Sequence, residues 1–344
     1  MHDIQVDVQR CKKCVRLQPG PSRRRLLNVR TDYRNPVYPQ YFADPFVLRT
    51  MAAANSEYVA YGTGRVVDGL AFEVLVSRDL IHWQRVGGAL EPLDPALGGH
   101  YWAPEVAERG GRWWMYYSVG HADDGHSLRV AVADNPLGPF VDCDVDLTPN
   151  ERFAIDPSPF LDVDGTEYLF YAHDVLDGDR IGTMLAVDVL ETPTRLRGEP
   201  LTVLRPSHDW QLFERGRSKY GRVCDWHTLE GPFVVRRGGR YWCFYSGGSW
   251  QRASYAVGVA SAPHPLGPWR EPSPSRRLLE TVPGHVIGPG HNSVVLHPSG
   301  DVIVYHAWDA RLTARRMCID PLTWTADGPV VRGPTWQPAR LDPP

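Results

Sequence analysis

Short apolar runs recur along the whole chain, while the spacing of an amphipathic helix is nearly absent. The runs are rich in valine, tyrosine, tryptophan and phenylalanine: YVAYG (58–62), FEVLVS (72–77), RWWMYYS (112–118), LRVAVA (128–133), EYLFYA (167–172), RYWCFYS (240–246), YAVGVA (255–260) and DVIVYHAW (301–308). Glycine, proline and aspartate separate them, as is typical of turns between strands. The pattern predicts an all-β protein.

The predicted strands form a repeated set. An acidic residue or histidine, usually followed by proline, precedes an apolar strand, a glycine turn, an aromatic strand and a smaller alternating strand. The template fits five times, at ADPFV, APEVA, IDPSPF, EGPFVV and GHNSVV, whose leading polar residues are Asp44, Glu105, Asp156, Glu230 and His291. Starts roughly 50 to 75 residues apart are typical of propeller blades. The repeat predicts one five-bladed β-propeller over residues 35–344, after an N-terminal extension at 1–34.

Composition narrows the function classes. The 344 residues are 42% hydrophobic and carry a net charge of −3, with acidic and basic residues spread along the chain. This pattern predicts neither nucleic acid nor a membrane as partner. No stretch reaches the roughly 18 apolar residues of a membrane span, and the N-terminus lacks an apolar signal core, so a cytoplasmic location is expected.

The six cysteines are scattered and are predicted to be mostly free thiols. Cys11 and Cys14 form half of a zinc signature, but no second pair follows nearby.

The five leading polar residues are the candidate functional site. The first strand of each propeller blade lines the central channel, so residues at equivalent starts should meet at one mouth. A single Asp-Pro is ordinarily a turn residue or a strand cap. Four carboxylates and a histidine at equivalent starts are harder to explain in that way, because crowded like charges raise pKa values and reduce stability.

Five motifs together resemble a known family. NPVYPQYFADPF, HYWAPEV, FAIDPSPF, LEGPFVV and GPGHNSVV match, in order and spacing, those of glycoside hydrolase family 43. The resemblance covers about residues 35 to 335. It implies a five-bladed propeller whose substrate is an arabinose- or xylose-containing oligosaccharide or polysaccharide.

The resemblance also implies roles for the three central carboxylates. Asp44 would be the general base, Glu230 the general acid, and Asp156 the group that orients the acid and tunes its pKa. The family is inverting, so base and acid should lie roughly 6.5–9.5 Å apart, with space for a water molecule.

Further residues are expected to bind substrate. The resemblance places Trp102 against the sugar and His291 near the pocket floor. Some relatives hold calcium or a water cluster beside that histidine, which leaves a structural calcium in the channel open, bound to His291 through water; no other cofactor is required. Glu105, as a blade-start carboxylate, and Phe42, as an aromatic beside Asp44, are candidate pocket residues. Arg315 or Arg316 could bond sugar hydroxyls, although a solvated strand residue is an equal alternative.

An exo-acting α-L-arabinofuranosidase is the expected activity, because no segment after the fifth blade matches the β-sandwich of many β-xylosidases in the family. β-Xylosidase and endo-arabinanase activities remain alternatives. A related five-bladed fructosidase would show a WMNDPNG-like start, an RDP triplet and Glu-Cys at the acid, where this chain has ADPF, IDPS and EGPF. Two further hypotheses are a related phosphorylase and a propeller that binds sugar without cleaving it.

Overall fold

The computed structural model describes residues 31–50, 58–64, 66–271, 277–296 and 300–341. Strands dominate these ranges, and the helical elements within them are the single 3₁₀ turns Pro95–Leu97 and Asp209–Gln211. The predicted all-β class is confirmed. Residues 1–30 of the predicted extension at 1–34, including Cys11 and Cys14, lie outside the described residues.

Antiparallel strand ladders form five blades, I to V, in chain order, and a short parallel pairing of residues 182–183 with 227–228 joins blades III and IV into one sheet. Blade I consists of β2 (Ala43–Arg49), β3 (Tyr58–Thr63), β4 (Ala71–Ser77) and β5 (Trp83–Leu90). Blade II consists of β6 (His100–Arg109), β7 (Arg112–His121), β8 (Asp124–Ala133) and β9 (Val141–Asp146). Blade III consists of β10 (Ala154–Leu161), β11 (Glu167–Val175), β12 (Gly182–Thr192), β13 (Arg195–Leu196) and β14 (Leu201–Leu204).

Blade IV departs from the predicted four strands. Its ladder in the described ranges holds three, β16 (Arg222–Arg237), β17 (Arg240–Gly247) and β18 (Ala256–Ala262), and β15 (Leu212–Lys219) pairs with the first part of β16. Blade V has four strands, β19 (Ile287–Val295), β20 (Asp301–Trp308), β21 (Arg315–Thr325) and β22 (Gly328–Val331). Near the two ends of the described chain, β1 (Thr31–Tyr33) pairs with β23 (Ala339–Leu341).

The core lies between the blades. Five clusters of buried side chains each join two neighbouring blades, including blade V to blade I, which closes the ring. Strand alternation produces this arrangement, because successive side chains point to opposite faces of a sheet. In β7, for example, Tyr117 packs between blades I and II, whereas Tyr116 packs between blades II and III. The aromatic strands recognised in the sequence therefore supply both faces of each blade, and the predicted five-bladed propeller is confirmed.

The innermost strand of every blade contains a β-bulge. One residue in each bulge has a left-handed backbone: Asp44, Ala103, Asp156, Gly231 and His291, with φ between 46° and 59°. A bulge bends its strand and redirects a side chain, and left-handed non-glycine residues cluster at functional sites.

These bulges correct the predicted register of the five repeats. The equivalent positions in blades II and IV are Ala103 and Gly231, not Glu105 and Glu230. Glu105 lies two residues after its bulge residue and Glu230 one residue before.

Candidate active site

Three bulge residues from three blades meet in the channel. Nδ1 of His291 lies 3.4 Å from Oδ1 of Asp44 and 3.9 Å from Oδ2 of Asp156. The backbone N–H of Gly231 donates to Oδ2 of Asp156 at 2.9 Å. A Cβ at Gly231 would lie 3.2 Å from the His291 ring, so glycine at this position gives the imidazole its space. The predicted convergence of Asp44, Asp156 and His291 is therefore present.

Asp44 is held in its charged form. Nη1 of Arg315 donates to Oδ1 at 3.1 Å, and the backbone N–H of Asp44 donates to Nδ1 of His306 at 3.1 Å. Burial alone would raise the pKa of Asp44, but the Arg315 guanidinium, followed by His291, outweighs it and holds the pKa well below its ordinary value.

His306 is neutral at physiological pH. Burial lowers its pKa to about 4, and its Nδ1 accepts the Asp44 N–H, so the ring proton lies on Nε2. The 3.2 Å contact between Nδ1 and Oδ1 of Asp44 is then a close approach of two acceptors and not an ion pair.

Glu230 and Asp156 show the opposite shift. Burial raises the pKa of Glu230 to about 7, an effect that the Tyr255 hydroxyl opposes by donating to Oε1 at 2.6 Å. Burial, then the charges of Glu230 and Asp44, raise the pKa of Asp156 well above its ordinary value. One cluster of interacting side chains thus holds a carboxylate that stays ionised and a carboxyl group that stays protonated to near neutrality. Such a pair can act as base and acid in one reaction.

Two predicted residues of blade II lie on its bulge strand. The half-buried Trp102 stacks on His126, with ring centroids 3.8 Å apart and an angle of 22° between planes. Burial raises the pKa of Glu105 well above its ordinary value, and a hydrogen bond with Ser158 partly opposes this. Both residues remain candidates for binding substrate.

The structure shows the surroundings of two further predicted residues. Phe42 is 1% exposed and packs edge-on against Tyr38 in the core between blades V and I, so its ring is not a pocket wall. Arg315 is buried, and its fork binds protein groups, with Nη1 on Asp44 and Nη2 on the Tyr41 hydroxyl at 2.9 Å. Its guanidinium carbon lies 4.5 Å from the centre of the Trp250 ring. Two nitrogen atoms of Arg315 are therefore engaged by Asp44 and Tyr41, and its binding to sugar hydroxyls stays a prediction.

Sequence reasoning missed Tyr255 and His306. Both rings are buried and stack on each other, with centroids 5.8 Å apart and an angle of 8° between planes. Their one signal is Gly290 in the GPGHN motif, where an added Cβ would lie 2.0 Å from the Tyr255 ring.

The predicted calcium stays a prediction. No group of three or more His, Cys, Asp or Glu side chains within the described ranges is arranged to hold a metal ion. Next to His291, both amide atoms of the buried Asn292 have no hydrogen-bond partner in the protein, so this place suits a polar occupant such as water. In the described part of the chain, no helix is long and apolar enough to cross a membrane.

Comparison with known proteins identifies the family. The model of glycosyl hydrolases family 43 matches residues 33–330. An extracellular exo-α-(1→5)-L-arabinofuranosidase of Streptomyces avermitilis is 27% identical over 252 residues, which are 67% of this chain and 49% of that protein. An enzyme of the same name from Streptomyces chartreusis is 26% identical over 80% of this chain and 82% of that protein. The crystal structure of a thermostable family-43 glycoside hydrolase superposes with a TM-score of 0.77, at 29% identity, over 91% of this chain and 99% of that one.

The chain therefore belongs to glycosyl hydrolases family 43, as its motifs predicted. The chain spans about half the length of the first of these relatives. The predicted cytoplasmic location is wrong, because both Streptomyces relatives are named extracellular enzymes.

Proposed function

We propose that this protein is an exo-acting α-L-arabinofuranosidase in which Asp44 is the general base and Glu230 the general acid. The observation that carries the proposal is the opposite displacement of the pKa values of these two interacting carboxyl groups. The pKa of Asp44 lies well below its ordinary value, and that of Glu230 rises to about 7. Inverting hydrolysis requires one ionised and one protonated carboxyl group at the same pH.

The contacts suggest which oxygen atoms react. Arg315 and the two imidazoles contact Oδ1 of Asp44, which leaves Oδ2 to accept a proton from water. Tyr255 donates to Oε1 of Glu230, so Oε2 is the oxygen that presents the proton to the leaving group. Water then bonds to the anomeric carbon as the glycosidic C–O bond breaks. Asp44 gains a proton, Glu230 loses one, and the product sugar has the inverted configuration.

Asp156 has a positioning role in this proposal. Its Oδ2 accepts the N–H of Gly231, the residue after Glu230, and so fixes the bulge that aims the acid. The charge of Glu230 raises the pKa of Asp156, so the two carboxyl groups lie close enough to interact. Trp102 stands one residue before the bulge of blade II, as Glu230 does in blade IV. Its partly exposed ring supplies a flat apolar surface for the sugar.

The choice of arabinofuranose rests on the names of the two Streptomyces relatives, each similar over two thirds or more of this chain. The test is a panel of nitrophenyl α-L-arabinofuranoside, nitrophenyl β-D-xyloside and linear arabinan, with proton NMR of the first-formed anomer. We expect kcat/KM on the arabinofuranoside to exceed that on the xyloside at least about tenfold, equal to about 1.4 kcal/mol in transition-state binding. A first product that retains the substrate configuration would make Asp44 a nucleophile and end the assignment.

A further inference from the structure

A cavity of about 500 Å³ lies at one end of blade V, outside the carboxylate cluster. Two tryptophans, two arginines, a histidine and an aspartate contribute to its lining: Trp308, Trp336, Arg311, Arg316, His285 and Asp309. None of Asp44, Asp156 and Glu230 belongs to the lining. The volume falls within the range of small-molecule sites, which combine aromatic walls with a few polar groups.

The cavity opens at the same end of the propeller as the carboxylates. Arg315 and Arg316 are consecutive on β21, so their side chains point to opposite faces of the strand. Arg315 reaches Asp44, whereas Arg316 lines the cavity. Trp308 pairs with Arg315 across the ladder and also lines the cavity. The cavity and the carboxylate cluster are therefore neighbours at one end of the propeller.

Stacked rings connect them. The Arg315 guanidinium lies over Trp250, which stacks on Trp308 with centroids 6.1 Å apart and an angle of 10° between planes. The stack therefore joins Arg315 to Trp308, a residue of the cavity lining.

The chemistry of the lining suits a neutral sugar. The rings of His285 and Trp336 stack, with centroids 4.6 Å apart and an angle of 7°, and Trp336 remains 36% exposed. Asp309 accepts from Nη2 of Arg316 at 3.1 Å, which neutralises that cation. Flat aromatic surface binds the C–H faces of a sugar, and guanidinium and carboxylate groups bond its hydroxyls.

We propose that this cavity is a second carbohydrate-binding site, which holds a sugar residue of the substrate glycan away from the bond that is cleaved. The proposal rests on the proposed function, because the ligand is the same arabinose-containing chain. Binding at two places on one face raises the affinity for a long glycan without changing that for a single sugar. A polymer therefore gains from the cavity, whereas a nitrophenyl glycoside does not.

The test compares Trp336→Ala with its parent. In a Glu230→Gln background, which prevents cleavage, the dissociation constant for linear arabinan is measured by retention in arabinan-containing native gels. We expect Trp336→Ala to raise it at least about fivefold, equal to about 1 kcal/mol. With Glu230 intact, kcat/KM on nitrophenyl arabinofuranoside should stay within about twofold of the parent, because the small substrate does not reach the cavity.

Two further variants keep the test decisive. His285→Ala, on an exposed residue, removes one member of the stack and should weaken retention in the same direction if Trp336→Ala folds poorly. Trp114→Ala is the matched control, since this half-buried tryptophan lies on blade II and should leave retention unchanged. Equal retention of parent and both cavity variants, or failure of the parent to bind arabinan, overturns the second site. Absence of arabinofuranoside cleavage by the intact protein instead overturns the proposed function.

Discussion

The hydroxyl of Tyr255 should set the pH range of the proposed enzyme. It donates to Oε1 of Glu230 at 2.6 Å, and a hydrogen bond of this kind favours the ionised carboxylate. Tyr255→Phe removes the donor and keeps the ring. The ring stacks on His306 and fills the space beside Gly290. The pKa of Glu230 should therefore rise, and the alkaline limb of the pH–rate profile should move to higher pH.

The magnitude follows from the difference between two hydrogen bonds. A bond to a charged group contributes roughly 1.5–3 kcal/mol and one to a neutral group roughly 0.5–1.5 kcal/mol, so the ionised form loses about 1–1.5 kcal/mol more. At 1.36 kcal/mol per unit, the pKa of Glu230 should rise by about one unit. The starting value is about 7, so the limb should move from near neutrality into mildly alkaline pH.

The assay is kcat/KM on nitrophenyl arabinofuranoside against pH, because this ratio reports the acid of the free enzyme. Tyr241→Phe is the matched control: its hydroxyl donates to Asp162 at 2.7 Å, between blades III and IV, and its removal should leave the limb in place. A dinitrophenyl glycoside, which needs little protonation, should show a weaker alkaline limb in both variants. A limb that stays fixed or moves to lower pH in Tyr255→Phe would refute the reasoning.

Three further predictions test the remaining assignments. Glu230→Ala should lower kcat/KM on glycosides with poor leaving groups far more than on a dinitrophenyl glycoside, whereas Asp44→Ala should lower both alike. The same ratio of losses on the two substrates in both variants would reject the division into acid and base. Arg315→Met should raise the pKa of Asp44 and move the acid limb up by about one unit or more, since an opposite charge lowers a carboxyl pKa by about 1–3 units; an unmoved acid limb would exclude this role. Gly290→Ala should reduce the free energy of unfolding by about 1–3 kcal/mol, because its Cβ would lie 2.0 Å from the Tyr255 ring; an unchanged urea midpoint would contradict that packing.

The blades could be predicted from sequence because strand alternation and turn residues repeat within each one. Their register could not, since it depends on which residue occupies the bulge. Aligning the copies on an acidic residue equated Asp44 with Glu105 and Glu230. Four of the five bulge residues precede a proline, as in Asp44-Pro45 and Gly231-Pro232, so the proline marks the equivalent position.

Side-chain direction was a second limit. Phe42 lies two residues before Asp44, yet its ring packs into the core while the carboxylate enters the channel. Tyr255 precedes β18 and His306 lies on β20, and neither residue belongs to one of the five blade-start motifs. Such contacts depend on how blades pack together, which no pattern within a single blade describes.

The register explains why the proposed acid is a glutamate one residue before its bulge. In blade V the equivalent position is Gly290, which leaves room for Tyr255, the residue before β18, to enter the channel. The bulge residue of blade IV, Gly231, in turn leaves room for His291. Asp156 then binds the Gly231 N–H, and Tyr255 binds the carboxyl group of Glu230. Two positions without side chains thus let neighbouring blades contribute the groups that aim the acid and tune its pKa. A side chain introduced at either glycine should therefore disturb Glu230 more than it disturbs Asp44.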